Sequence, residues 1–330
     1  THALLGESVE FKDLGLIVVD EQHRFGVEQR DSLKAKAQNP PHLLVMTATP
    51  IPRTVAMTVF GDLDVSTLRE LPLGRQPITT HVIPVLEKPT YLERAWTRIT
   101  EEVSQGHQAY IVAPRIAAGT SEDGDMDFLM GETSLEIASV EELGPLLSGG
   151  ALQGVKVAPL HGRQSAELKD STMRAFSAHE IDVLISTTVI EVGVDVSNAS
   201  LMVIENPERL GLAQLHQLRG RVGRGKEESH CVLLYSAPLS PQGTERLKIM
   251  RQTTDGFKIA EMDLKLRGPG EVLGTRQTGE MELRIADLQR DAHLLPNIKK
   301  TAETMLARYP SQANAIIRRW MGGSERYGQV

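Results

Sequence analysis

Two adjacent carboxylates, Asp20 and Glu21, directly follow an apolar run in the string LGLIVVDEQH. A buried parallel strand would deliver both side chains to the carboxyl edge of its sheet, where open α/β folds bind ligands. In nucleotide hydrolases this arrangement lets the aspartate hold Mg²⁺, usually through water, while the glutamate polarises the attacking water. Many strands also end in an acidic pair that only caps the following helix. The pair alone therefore leaves both interpretations open.

A hydroxyl-rich turn follows a second apolar run, in the string MTATPIPRT. The hydroxyl groups of Thr47 and Thr49 can bond to backbone or to phosphate, and Pro50 and Pro52 fix the turn. Taken alone, the string is most simply an ordinary Thr/Pro turn.

Three arginines, Arg219, Arg221 and Arg224, lie close together in the string HQLRGRVGRG. Guanidinium groups suit phosphate oxygens through paired hydrogen bonds, and the glycines between them let the backbone approach another surface. A solvated face explains so dense a cluster poorly. The segment Gly220–Lys226 nearly has the spacing of a phosphate-binding P-loop, but Glu227 replaces the Ser/Thr that would bind Mg²⁺ and no strand leads into it. The cluster therefore predicts phosphate contact without a P-loop.

Parallel sheets covered on both faces must position these residues, because short apolar, β-branched runs alternate with amphipathic stretches. Helices are predicted over Tyr91–Val103 and Ala166–Phe176. Strands are predicted over Leu14–Val19, Leu43–Thr47, Thr80–Val85, Ala109–Ala113, Val155–Pro159, Val183–Ser186, Leu201–Ile204 and Cys231–Tyr235.

Composition shifts divide the chain into three parts. The Pro- and Gly-rich segment Leu71–Pro77 is typical of a linker, and the strands stop after about Pro241. We therefore expect an incomplete α/β unit over 1–75, a complete one over 76–240, and a helical region over 241–330. The second unit carries an acidic insert over about 117–150.

The charge of the chain is unevenly distributed. With 36 Lys and Arg against 43 Asp and Glu, the net charge is −7, which by itself argues against a nucleic-acid partner. Residues 117–150 hold eight acidic residues and no Lys or Arg, so the rest of the chain carries +1. The net charge therefore does not exclude a nucleic-acid partner.

Several classes of protein are excluded by composition. The single cysteine, Cys231, excludes an intrachain disulfide framework and a Cys-rich zinc site. No apolar run approaches the roughly 18 residues that span a bilayer, and no signal peptide opens the chain. We expect a cytoplasmic protein with no membrane partner. Because the chain begins at Thr1 and enters regular structure almost at once, we also expect a fragment or a processed product.

In combination, the three motifs are far more specific than any one of them. DEQH, TAT and Q-x-x-G-R-x-G-R, in that order on two α/β units, resemble the motor of superfamily 2 helicases. The string STTVIEVGVD over 186–195 is similar to that family's motif V, LHGR over 160–163 to its preceding contact with the DNA backbone, and THAL at the start to the tail of motif Ib. The resemblance implies an α/β fold of RecA-like P-loop NTPase parallel sheets, one partial and one complete, followed by a helical hairpin and C-terminal helices.

The resemblance narrows to two kinds of bacterial DNA translocase. DEQHRFGVEQR, TATPIPRT and the segment 245–279 resemble RecG-type helicases and the transcription-repair coupling factor, and the last segment is similar to their shared helical hairpin and loop, the TRG motif. The C-terminal string YPSQANAIIRRWMGGSERYGQV favours the RecG type. A piece of the coupling factor and a non-catalytic DNA-binding module stay open as alternatives.

The resemblance implies roles for particular residues. Asp20 would organise Mg²⁺ through water, Glu21 would position the hydrolytic water, and Arg221 and Arg224 would reach the γ-phosphate of ATP. Further nucleotide-binding residues would be Gln22, His23, Gln217, Gly193 and Asp195. DNA-binding or coupling residues would be Thr47, Thr49, His161, Arg163, Thr187, Thr188, Arg246, Arg267 and Gln277. Arg246 and Arg267 could instead pair with nearby carboxylates and only hold the hairpin together.

The implied function is that of an ATP-dependent double-stranded DNA translocase that reverses stalled forks and migrates Holliday junctions in DNA repair and recombination. Implied partners are branched DNA and single-stranded DNA-binding protein, for a nucleoid-associated protein that is monomeric at full length. No G-x-x-x-x-G-K-[ST] string occurs in the chain. We therefore expect the chain alone to bind ATP weakly without hydrolysing it, and its first sheet to expose an edge or to pair with another molecule.

Overall fold

The computed structural model describes residues 2–6, 8–21, 32–48, 64–70, 76–113, 140–187, 196–267 and 290–321. The chain divides into two compact units. The first comprises 1–68 together with 267–330, and the second comprises 69–266. Two helices that follow Pro241 thus belong largely to the second unit, while the three-part domain division stays a prediction. Most of the acidic insert, 117–139, lies outside the described residues.

The described part of the first unit contains a two-stranded parallel sheet. Strands β1 (Leu16–Val19) and β2 (His42–Val45) pair with Leu16 opposite His42. Alternation buries Ile17 and Val19 on one face and leaves Leu16 57% and Val18 51% exposed on the other. Parallel sheets are normally covered on both faces, so this sheet has one open apolar face.

The second unit is built on a six-stranded parallel sheet. Its strand order is β3-β8-β7-β4-β6-β5. The strands are β3 (Ile78–Pro84), β4 (Gln108–Val112), β5 (Val157–Leu160), β6 (Val183–Ser186), β7 (Ala199–Glu205) and β8 (Ser229–Tyr235). All eight predicted strands are present, and the predicted parallel arrangement is confirmed.

Helices cover both faces of the second sheet. In the second unit they are α1 (Pro89–Ser104), α2 (Val140–Ser148), α3 (Ala166–Ser177), α4 (Leu212–Arg219), α5 (Pro241–Gln252) and α6 (Gly256–Arg267). The first unit has its own helices, α7 (Leu295–Arg308) and α8 (Pro310–Met321). Local chemistry sets the helix starts: Ser165 caps α3 by accepting the Leu168 N–H at 3.2 Å, and Ser240 caps α5 by accepting the Gly243 N–H at 3.0 Å.

Alternate residues of the central strand β4 point into two hydrophobic cores. Tyr110 and Val112 pack with Phe176 of α3, and the Tyr110 and Phe176 rings lie 5.0 Å apart. Ala109 and Ile111 pack into the other core with Ile99 of α1. All five residues of β4 are buried, as expected for a strand covered on both faces.

In the part of the chain that the structure describes, no helix combines the length and the apolar character needed to cross a bilayer.

Candidate functional site

Asp20 and Glu21 follow β1 directly and therefore lie at the carboxyl edge of the first sheet. The exposed Asp20 carboxylate accepts the Glu21 N–H at 2.9 Å. Glu21 has a φ of 51°, in the left-handed region, where a residue other than glycine costs about 1–2 kcal/mol. Strained backbone of this kind concentrates at functional sites. The arrangement presents an oxygen ligand of the type Mg²⁺ prefers, next to a second carboxylate held at a fixed backbone angle.

The second strand places Thr47 at the same edge as the carboxylate pair. The Met46 N–H donates to Val19 O at 2.8 Å, so the residues after β1 and β2 leave the sheet side by side. Thr49, Gln22 and His23 lie outside the described residues. Among the described residues, no group of three or more His, Cys, Asp or Glu side chains is placed to hold a metal ion. Water-mediated binding of Mg²⁺ by Asp20 stays a prediction.

At the carboxyl edge of the second sheet, the structure brings together His161 and Thr187. They follow the neighbouring strands β5 and β6, and the Thr187 N–H donates to Leu160 O at 3.3 Å. Both side chains are buried, and Thr187 Oγ1 has no hydrogen-bond partner among the described residues. Arg163 is exposed in the turn between His161 and the amino end of α3. Thr188, Gly193 and Asp195 lie outside the described residues.

The structure separates the three clustered arginines. Arg219, the last residue of α4, is only 2% exposed and donates to Met250 O at 2.8 Å and Thr253 O at 3.0 Å. Its guanidinium group is therefore bound inside the protein, and the prediction of phosphate contact is wrong for this arginine. Arg221 is half-buried and Arg224 exposed in the turn after α4, where Arg224 Nε donates to Gly220 O at 3.3 Å. Gln217 is half-buried one turn earlier on α4.

The glycines of the same turn do let the backbone approach another surface, as predicted, but that surface is internal. Gly223 has a φ of +73°, and a Cβ atom there would lie 2.8 Å from the Ile78 side chain. At Gly225 a Cβ atom would lie 2.6 Å from Ser197 O. The turn that carries Arg221 and Arg224 is thus seated against β3 and against the segment before β7.

Arg246 does not make the carboxylate pairing that was the alternative to a DNA-moving role. Its Nη1 donates to Leu210 O at 3.1 Å and to Glu208 O at 3.4 Å, both just before α4. Glu245, one candidate partner, instead pairs with Lys248 at 3.3 Å. Arg267 ends α6 with its side chain outside the described set, and Gln277 lies outside the described residues.

Two acidic residues near the carboxyl end of β7 were missed by the sequence analysis. Burial raises the pKa of the Glu205 carboxyl group to about 7 and also raises the pKa of Glu208. Glu208 Oε2 is buried without a hydrogen-bond partner among the described residues. Carboxyl groups with strongly raised pKa values are frequent at functional sites. The available signal was the one used for Asp20 and Glu21, an acid that follows an apolar strand.

Replacement of Glu205 by glutamine should stabilise the second unit in a pH-dependent way. Because the pKa of Glu205 is higher in the folded than in the unfolded chain, its contribution to stability falls as pH rises from about 4.5 through about 7. We expect Glu205→Gln to raise the free energy of unfolding by about 2–3 kcal/mol more at pH 8 than at pH 5. Urea unfolding at both pH values measures the effect, with Glu180→Gln on the surface as the control. An equal effect of Glu205→Gln at both pH values would contradict a raised pKa of Glu205 in the folded chain.

Three family models match the chain in succession. DEAD/DEAH box helicase matches residues 1–58, helicase conserved C-terminal domain matches 94–226, and the C-terminal part of domain 3 of ATP-dependent DNA helicase RecG matches 253–319. The first two models lie within the two predicted α/β units, and the third lies within the predicted helical region.

Curated relatives match across the whole chain. ATP-dependent DNA helicase RecG of Escherichia coli K12 is 50% identical over 333 residues, covering 100% of this chain and 46% of the relative. RecG of Mycobacterium bovis is 55% identical over 291 residues, covering 87% of this chain and 39% of the relative. The chain thus spans about half the length of the curated relatives it matches.

A solved structure shares the fold. RecG bound to a three-way DNA junction superposes with a TM-score of 0.64 at 43% identity, covering 89% of this chain and 35% of that chain. The parallel sheets described above are accordingly those of RecA-like helicase domains.

Proposed function

This chain belongs to the RecG family of DNA helicases, and from that premise we propose that it is the motor part of an ATP-dependent translocase for branched, double-stranded DNA. The observation that carries the proposal is the match of the entire chain, at 50% identity, to RecG of Escherichia coli. The two sheets support it, because each presents motif residues at its carboxyl edge, where α/β folds bind ligands.

We propose that four residues carry out ATP hydrolysis and that five more support nucleotide binding. Asp20 would hold Mg²⁺ through water, and the ion would neutralise the phosphate charges of ATP. Glu21 would orient the attacking water and accept its proton, which suits a carboxylate on a fixed backbone. Arg221 and Arg224 would bind the γ-phosphate from a turn that Gly223 and Gly225 seat against the second unit's own backbone and side chains. The supporting nucleotide contacts would come from Gln22, His23, Gln217, Gly193 and Asp195.

The DNA side of the proposal uses the carboxyl edge of the second sheet. An exposed Arg163 and the amino end of α3 together suit a phosphate of the DNA backbone. Thr187, at the same edge of the sheet, adds a buried hydroxyl group without a hydrogen-bond partner among the described residues. Contacts of this kind carry no sequence information, as a translocase requires. We extend the same role to His161, Thr47, Thr49 and Thr188, and assign DNA movement to Arg246, Arg267 and Gln277.

Forks and Holliday junctions are the proposed substrates, in the bacterial cytoplasm and at the nucleoid. We further propose that single-stranded DNA-binding protein is a partner and that the full-length protein acts as a monomer. The match of 253–319 to a RecG domain model favours this assignment over a piece of the transcription-repair coupling factor.

Hydrolysis of ATP by two proteins tests the proposal. One is this chain alone; the other is a RecG hybrid, in which this chain replaces the segment of Escherichia coli RecG that it matches. We expect no DNA-stimulated ATP hydrolysis from the chain alone, because it lacks a P-loop string, and fork-stimulated hydrolysis from the RecG hybrid. Hydrolysis by the chain alone would contradict the first expectation. A folded hybrid without fork-stimulated hydrolysis would contradict the motor assignment.

A further inference from the structure

We propose that Arg219 is a positioning residue that fastens the arginine segment to helix α5, so that ATP turnover at Arg221 and Arg224 is coupled to the helical hairpin. The arginine segment is α4 together with the turn that follows it, residues 212–225. The hairpin consists of α5 and α6. This inference rests on the proposed function and assigns to it a residue that contacts neither ATP nor DNA.

The first support is the set of bonds made by one buried side chain. Arg219 Nη1 donates to Met250 O at 2.8 Å, to Thr253 O at 3.0 Å and to Thr80 Oγ1 at 3.3 Å. Its Nη2 lies 3.3 Å from His216 Nδ1, one turn earlier on α4. A single guanidinium group therefore joins the end of α4, the end of α5 and strand β3.

The second support is electrostatic. No carboxylate pairs with Arg219 in the part of the chain that the structure describes, although a guanidinium group stays protonated in proteins. Met250 belongs to the last turn of α5, and Thr253 is its C-cap residue. The carbonyl groups there form the negative end of the helix dipole, which stabilises a cation. The charge of Arg219 is thus balanced by α5 itself, and separating α5 from α4 would leave a buried cation without acceptors.

The third support is that the attachment is reciprocal. Arg246 of α5 donates in turn to Glu208 O and Leu210 O. Those carbonyl groups close the short 3-10 helix Pro207–Arg209, immediately before α4. Arg219 of α4 thus binds carbonyl groups at the end of α5, and Arg246 of α5 binds carbonyl groups just before α4. Two attachment points, one at each end of α4, resist both sliding and rotation of α5 against it.

The position of Arg219 in the chain connects these contacts to chemistry. Arg221 follows two residues later, and Arg224 lies in the same turn, which Gly223 and Gly225 seat against the sheet. A displacement of Arg221 or Arg224 during the ATP cycle would therefore be passed to α5 through Arg219. Without Arg219, the turn could still bind phosphate, but only the Arg246 bonds at the other end of α4 would remain, so less of its movement would reach the hairpin.

The test compares strand separation and ATP hydrolysis on a synthetic fork in the RecG hybrid. For Arg219→Met we expect at least about a tenfold drop in base pairs separated per ATP hydrolysed, with the KM for ATP within about twofold of the unchanged hybrid. Arg219→Lys keeps the charge and one or two of the hydrogen bonds. Its number of base pairs separated per ATP should therefore lie between those of Arg219→Met and the unchanged hybrid. Arg251→Met, the same change at an exposed position of α5, should leave the ratio unchanged.

The outcomes separate the two proposals. An unchanged ratio in Arg219→Met, or a parallel loss of hydrolysis and strand separation in both Arg219 variants, would overturn the coupling role. If Arg219→Met fails to fold, Arg219→Lys decides on the same ratio. An unchanged hybrid that folds but does not hydrolyse ATP on the fork would overturn the proposed function instead.

Discussion

Arg224→Ala in the RecG hybrid is expected to lower the rate of fork-stimulated ATP hydrolysis by about 10³-fold or more. The expected effect is large because an arginine that reaches the γ-phosphate balances charge that develops in the transition state. The KM for ATP should change much less than kcat, since the contact is strongest in the transition state. Steady-state hydrolysis at saturating fork DNA measures both constants.

The matched control for this prediction is Arg94→Ala. Arg94 is an exposed arginine on α1 that pairs with Glu101 at 3.0 Å, and it has no proposed role. Its removal should leave kcat unchanged within error. A loss of less than tenfold in Arg224→Ala, or equal losses in the two variants, would show that Arg224 does not act in hydrolysis.

The second large effect is expected at Gly225. A Cβ atom at this position would lie 2.6 Å from Ser197 O, a backbone atom that cannot rotate away. We expect Gly225→Ala to lower the free energy of unfolding of this chain by about 2–4 kcal/mol, because such overpacking forces the backbone to shift. Gly223→Ala should cost about 2–3 kcal/mol, since it combines a left-handed φ with a close contact to the Ile78 side chain.

Gly154→Ala is the control for both glycine variants. Gly154 has a φ of +86°, but a Cβ atom added there would meet no atom within 4 Å, so its substitution tests backbone strain alone. Its cost should be about 1 kcal/mol. Urea unfolding followed by circular dichroism gives the three values. Equal values for Gly154→Ala and Gly225→Ala would mean that the turn is not seated against Ser197.

The strands were predictable because their signal is local. β4 and β6 are short apolar runs with turn residues at both ends. Such runs are typical of strands that are buried on both faces of a sheet. The bounds were less predictable, because they depend on the partner strand. β3 begins at Ile78 rather than Thr80, since Ile78 pairs with Ser229 of β8.

The burial of Arg219 could also have been predicted from the sequence. Leu212, Leu215 and Leu218 are buried on α4, and Arg219 continues that stripe at the spacing of one helix face. Treating the arginines as one cluster of charge concealed this periodicity. Arg221 and Arg224 follow the end of the helix, so periodicity does not bury them.

Other parts of the site depend on contacts that no local pattern specifies. The raised pKa of Glu205 comes from the residues packed around the end of β7, which come from distant parts of the chain. The partners of Arg246 are backbone carbonyl groups, and every residue carries one, so no residue type in the sequence points to them.

Strand separation by the RecG hybrid on a three-way DNA junction tests the central claim most directly. A fluorescent strand released in the presence of ATP and Mg²⁺ reports movement of the motor along the duplex. We predict ATP-dependent release by the hybrid, and loss of release in Glu21→Gln with junction binding retained. A folded hybrid that binds the junction but releases no strand, or a Glu21→Gln variant that releases it at the unchanged rate, would contradict the assignment of this chain as a DNA motor.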